Sequence, residues 1–213
     1  INTIDTSIPI YIGDVGKHLI NATLMFLGKE LHLNNFHSIK KDIPFIIGDF
    51  TITPYLVDHS AVDAFSFLIQ SNDINLFYSG DFRAHGRKSI LFQRIIKNPP
   101  ADIDILFLEG TMINRSNDEF PDEQSVEDII TSTIKDQNNI SFIISSSQNI
   151  DRIVSAYRSC LKTGKIFVID LYTAWILEQL KIVSNNVPSI GWDNIKIYAD
   201  YKHDLVLKNN ESL

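Results

Sequence analysis

A lone cysteine, Cys160, leaves this sequence no partner for an internal disulfide. No apolar run approaches the roughly 20 residues of a membrane-crossing helix, and no membrane attachment is expected. Positive charge is also in short supply. With 19 Lys and Arg against 26 Asp and Glu, the formal charge is −7. This argues against non-specific nucleic-acid binding through a surface that is basic overall, although it leaves room for a local basic groove. The glycine-rich phosphate loop GxxxxGKS/T is missing as well, which removes the nucleotide-hydrolysing classes built on it. Scarce cysteine fits a reducing, cytoplasmic setting.

What is present is a globular composition, 44% hydrophobic over 213 residues, enough for one good core or two modest ones. Apolar patterning predicts strands over residues 9–12, 45–47, 50–57, 64–70 and 74–79, and an uninterrupted apolar strand over 103–108. Helices are predicted over residues 15–29 and 89–97, and the polar stretch 31–41, with His32 and His37, reads as a loop. Beyond a second polar stretch the pattern alternates. Helices over residues 123–136, 150–163 and 172–181 interleave with strands over 140–145, 165–169 and 195–198, with Gly164 as a helix C-cap. Such alternation implies a parallel sheet covered by helices. The expected division is a first domain over residues 1–115 and an α/β domain over residues 116–213.

Candidate chemistry concentrates in residues 58–86, DHSAVDAFSFLIQSNDINLFYSGDFRAHG. Two apolar runs flank the turn Ser71-Asn72-Asp73, so a hairpin is expected, with His59 entering its first strand and Asp81 leaving its second. The two should then lie side by side at its open end. An imidazole and a carboxylate on a rigid frame suit a divalent cation such as zinc or manganese. A capped turn and a solvated loop acid fit the same residues. After Asp81, the cations Arg83, Arg87 and Lys88 are placed either to grip a phosphate or to form a solvated helix entry. His85 between them is a candidate proton donor to a leaving group. Glu109 ends its predicted strand where α/β sheets bind ligands. Ser145 and Ser146 lie between a predicted strand and a helix start, as an anion site or as part of an N-cap.

The segments VDHSAVDA, YSGDFR and ILFLEGT, in this order and spacing, resemble successive motifs of the metallo-β-lactamase superfamily in its β-CASP branch, the group of ribonuclease J and the polyadenylation endonuclease. The resemblance implies an α/β protein, part of an αββα sandwich joined to a parallel α/β β-CASP-like domain. It implies a metal-dependent hydrolase that uses two divalent ions, zinc or manganese, to cleave the phosphodiester bonds of single-stranded RNA. On it, His59 is a metal ligand and Asp81 bridges the two metals. Asp81 and Glu109 are the catalytic acids, and Asp63 steadies a ligand by a hydrogen bond. Arg83, His85, Arg87, Ser145 and Ser146 would contact substrate. A homodimer is the candidate assembly.

The sequence also departs from this family. The HxHxDH motif that supplies most of the metal ligands does not occur in these residues. The expectation is therefore an internal piece of a larger enzyme, inactive by itself and a poor binder of zinc. Two rival readings stand beside it: a hydrolase of the same superfamily acting on something other than nucleic acid, and a non-catalytic binding module that has lost its metals.

Overall fold

In the computed structural model, which describes residues 7–29, 35–113, 120–182 and 184–199, β1 (Ile10–Gly13) leads directly into α1 (Asp14–Phe26). β1 pairs in parallel with β2 (Phe36–Ile39), Ile10 opposite Phe36 and Gly13 opposite Ile39. β2 falls inside the stretch expected to be a loop. Its two central side chains, His37 and Ser38, are exposed and polar and give no strand alternation, so the backbone ladder to β1 identifies it. His37, on this strand, stacks on Tyr11. His32 lies outside the described residues.

A five-stranded sheet follows, in chain order β3 (Phe45–Ile47), β4 (Phe50–Leu56), β5 (Phe65–Ser71), β6 (Ile74–Tyr78) and β7 (Ile105–Phe107). All neighbours are antiparallel except β6 and β7, which run parallel with α2 (Ser89–Lys97) between them in sequence. The β5–β6 hairpin turns on Asn72 and Asp73 with φ of 45° and 66°. Such tight two-residue turns require positive φ, and Asn and Asp tolerate it better than most side chains. β7 carries the expected apolar run, but as an edge strand it leaves every side chain exposed.

The second half holds α3 (Glu123–Lys135), α4 (Ile150–Lys162), β8 (Phe167–Asp170), α5 (Leu171–Leu180) and β9 (Ile195–Tyr198), with β8 and β9 parallel. α4 ends as its sequence predicts. Gly164 takes φ of 67°, its amide donates to Leu161, and Lys165 N–H donates back to Cys160 O at 2.9 Å, closing the last turn. Cys160 itself is buried. One expected strand is absent. Residues 140–145 form no ladder, and Ile140, Phe142 and Ile144 are 83%, 88% and 98% exposed. Apolar alternation alone does not make a strand, because the extended backbone needs a partner for its amides and carbonyls.

The main apolar cluster gathers Val15, Leu19 and Ala22 of α1 around Ile150, Ile153 and Tyr157 of α4 and Ile176, Leu177 and Leu180 of α5, with Ile169 and Ile195 from β8 and β9. α1 thus shares its core with the second half, and this packing crosses the boundary expected between residues 115 and 116. Among the described residues no helix is long and apolar enough to cross a membrane.

Candidate functional site

Strand direction decides which residues share an end of the five-stranded sheet. β4 and β6 both run antiparallel to β5, and β7 runs parallel to β6. The C-terminal ends of β4, β6 and β7 therefore lie together, and His59, Asp81 and Glu109 each follow one of them. The route by which His59 arrives differs from the hairpin expectation. β5 begins at Phe65, and Gly80, with φ of 57°, sits so close to the Phe65 carbonyl that a side chain there would clash. Phe65, not His59, faces the exit of β6. What joins the His59 loop to the Asp81 loop is the preceding residue, Asp58. Its carbonyl accepts from Arg83 N–H and its carboxylate from Gly86 N–H, both at 2.8 Å.

His59 is half-buried, and its Nδ1 accepts the Ala61 N–H at 3.1 Å, which places the ring proton on Nε2. Asp81 is exposed and hydrogen-bonds to none of the described residues. Glu109 N–H donates to Ser79 Oγ at 3.3 Å, and its carboxylate accepts from Thr111 Oγ1 at 2.8 Å. Ser79 also accepts, through its carbonyl, a hydrogen bond from Ser66 Oγ. Ser66 and Ser79, both fully buried, so tie β5, β6 and the start of the Glu109 loop together. Nothing in the motif reading singled them out. The available signal was a serine at an inward position between Phe65 and Phe67.

Asp63 is not placed behind a metal ligand. Its Oδ2 accepts from Val15 N–H at 3.2 Å and Gly16 N–H at 3.5 Å, at the N-terminus of α1, where a carboxylate satisfies free amides and complements the helix dipole. A side chain at Gly13 would overlap this carboxylate. Burial pushes the Asp63 carboxyl up, against the pull of the two backbone hydrogen bonds.

The three cations after Asp81 face inward. Arg83 pairs with Asp151, and Arg87 pairs with Glu127 and donates to Ser155 Oγ at 2.8 Å. Lys88 Nζ donates to the Ala61 carbonyl at 2.6 Å, and burial pulls its ammonium below the usual lysine range. Arg83 and Arg87, expected to grip a phosphate or to form a solvated helix entry, are instead engaged with carboxylates of α4 and α3 in this structure. Glu127 and Asp151 are buried on α3 and α4, and carboxylates withdrawn from water need cationic partners. Arg152 and Ser155 hold Glu123 in the same way. Burial alone would raise Glu123 and Glu127. Hydrogen bonds to Ser155 and Arg152 for the first, and to Lys162 and Arg87 for the second, outweigh it and leave both below the ordinary glutamate range.

His85 lines a cavity of about 260 Å³ with Arg87, Ser89, Asp122, Glu123 and Gln124, and its ring stacks on Phe120. Its carbonyl accepts the Glu123 N–H at 3.1 Å, fastening the loop to the first turn of α3. Ser145 and Ser146 are exposed. Ser146 Oγ accepts from Gln148 N–H, and its carbonyl from Asn149 N–H. Asn149 in turn caps α4 through Arg152 N–H. This turn abuts the His59 loop, since Ile150 N–H donates to Ser60 O at 3.2 Å.

As for metal, no three His, Cys, Asp or Glu among the described residues gather as a metal centre requires. The donor types at this end of the sheet, an imidazole and a free carboxylate, are among those that zinc and manganese take.

No protein-family model matches the sequence, and neither does any curated protein. In fold the chain is similar to the crystal structure of a protein of unknown function from Enterococcus faecalis V583, with a TM-score of 0.71 and 20% identity over 98% of this chain and 52% of that one. The chain thus spans about half the length of that protein, and at this identity the likeness speaks to fold alone.

Proposed function

We propose that this chain is part of a metal-dependent hydrolase of the metallo-β-lactamase type with a β-CASP-like α/β half, cytoplasmic, and acting on phosphodiester bonds of single-stranded RNA. The observation that supports the reading is that His59, Asp81 and Glu109 each follow a strand whose C-terminal end lies at the same end of the five-stranded sheet, each in a segment that resembles a motif of that family. His59 and Asp81 would hold divalent ions, zinc or manganese. The remaining ligands are not among the described residues. When bound, such ions supply an acidified water as the nucleophile. Glu109, held by Ser79 and Thr111, orients groups at the rim. His85, free of side-chain hydrogen bonds in its cavity, donates a proton to the leaving oxygen. Ser145 and Ser146 present hydroxyls beside the His59 loop.

A second reading keeps the chemistry and changes the substrate. With Arg83 and Arg87 engaged internally and a net charge of −7, the site has few cations left for a polyanion, which favours a small phosphodiester or another ester. Turnover of labelled single-stranded RNA against bis(p-nitrophenyl) phosphate by the larger enzyme of which this chain is proposed to be part, with zinc or manganese added, separates the two. Asp81→Asn should abolish turnover while leaving the melting temperature unchanged, because the side chain is exposed and unpartnered. Full activity in that variant would remove Asp81 from the mechanism.

A further inference from the structure

The fully buried carboxylate of Asp58 has no role in the chemistry above, and its surroundings assign it one. Withdrawing an ionised carboxylate from water is unfavourable unless the fold uses it. Asp58 Oδ2 accepts the Gly86 N–H at 2.8 Å, and its backbone carbonyl accepts the Arg83 N–H at 2.8 Å. Its Oδ1 faces Arg83 Nε across 3.8 Å, and neither of those two atoms has another partner. Gly86 lies against both groups. A Cβ at that position would overlap Asp58 Oδ1 and the Arg83 guanidinium, so the absence of a side chain there is what lets the carboxylate reach the loop. From the other side Asp151 takes Arg83 and accepts the Arg87 N–H at 3.1 Å.

We propose that Asp58 is a positioning residue that sets the spacing between His59 and the loop carrying Asp81 and His85. It is covalently joined to the first and hydrogen-bonded to the second, so a change in its side chain alters their separation without touching either. This role rests on the hydrolytic reading for its purpose, but its geometry belongs to the fold and is testable separately.

The direct test is residue-resolved amide hydrogen exchange. Asp58→Ala should speed exchange at Gly86 by about tenfold or more, the loss of a buried charge-assisted hydrogen bond, with amides of α4 and α5 unchanged. Asp58→Asn, which still offers an acceptor oxygen, should recover Gly86 protection to within about threefold. Unchanged exchange at Gly86, or a uniform rise through α4 and α5, overturns the proposal. If Asp58→Ala does not fold, Gly86→Ala replaces it. That variant keeps the carboxylate but removes its space, and should speed exchange at Arg83; no change there counts equally against the proposal. In protein that turns over substrate, Asp58→Ala should lower kcat about tenfold with KM within about twofold, the mark of a lost transition-state interaction, and Asp58→Asn should restore most of the loss. An unchanged kcat limits Asp58 to a structural role and overturns the positioning claim. Local exchange changes in a protein without hydrolysis would leave the positioning geometry standing and remove the hydrolase reading.

Discussion

The apolar cluster around α5 and the charged seam between the Arg83–Lys88 loop and helices α3 and α4 solve the same problem by opposite means. In the first, Ile176, Leu177 and Leu180 are wholly excluded from solvent and are held by shape and volume. In the second, Glu127, Glu123 and Asp151 are equally withdrawn from water, but each is matched to an arginine, a lysine or a serine. An apolar contact tolerates small slippage, whereas a buried ion pair fixes distance and orientation. The seam lies beside the loop that carries Asp81 and His85, whereas the apolar cluster reaches the His59 loop through Ile150 and Val62.

The sharpest way to break the comparison is to delete volume on one side and charge on the other. Leu177→Ala should lower the free energy of unfolding by roughly 3–5 kcal/mol in urea titration, because the enclosed site cannot collapse around the cavity. Glu127→Gln should lower it by about 2 kcal/mol, less than a fully enclosed pair would give, since Arg158 and Lys162 can turn toward water. A loss at Glu127 as large as that at Leu177 would mean that the seam, not the cluster, dominates stability.

Acid should act on the seam and not on the apolar cluster. Glu123 and Glu127 have folded values below the ordinary glutamate range, so their contribution is complete above the unfolded value of about 4.3 and is lost as pH falls through the folded values. The melting temperature should therefore drop steadily below about pH 4.3, and Glu127→Gln should flatten that slope. The smallest effect is expected at the α1 N-terminus. Asp63→Asn keeps an acceptor for Val15 but removes the charge, and should change stability by about 0.5 kcal/mol. A larger loss would give Asp63 a role beyond helix capping.

Much of the fold was legible because local signals agreed with tertiary ones. α2 and β9 fall on their expected residues, and α4 stops at Gly164 where a left-handed residue was called for. β2 was hidden because its ladder partner lies across a helix in sequence, and residues 140–145 misled because alternation describes side chains, not hydrogen bonds. At the candidate site, strand ends were enough to bring His59, Asp81 and Glu109 to one end of the sheet. The destinations of Arg83, Arg87 and Asp63 were not readable in the same way. Their partners, Asp151, Glu127 and the amides of Val15 and Gly16, are remote in sequence and carry no motif.

The uncovered segment 140–145 has a consequence for handling the protein. It reads Ile-Ser-Phe-Ile-Ile-Ser, with no charge and no proline, and every second side chain stands nearly free in solvent. Its backbone also has no ladder partner among the described residues. Two molecules meeting along it would gain paired amides and a dry apolar zipper at once. Self-association in concentrated solution is therefore expected to start along this strip or the exposed edge strand β7, and not at the charged seam.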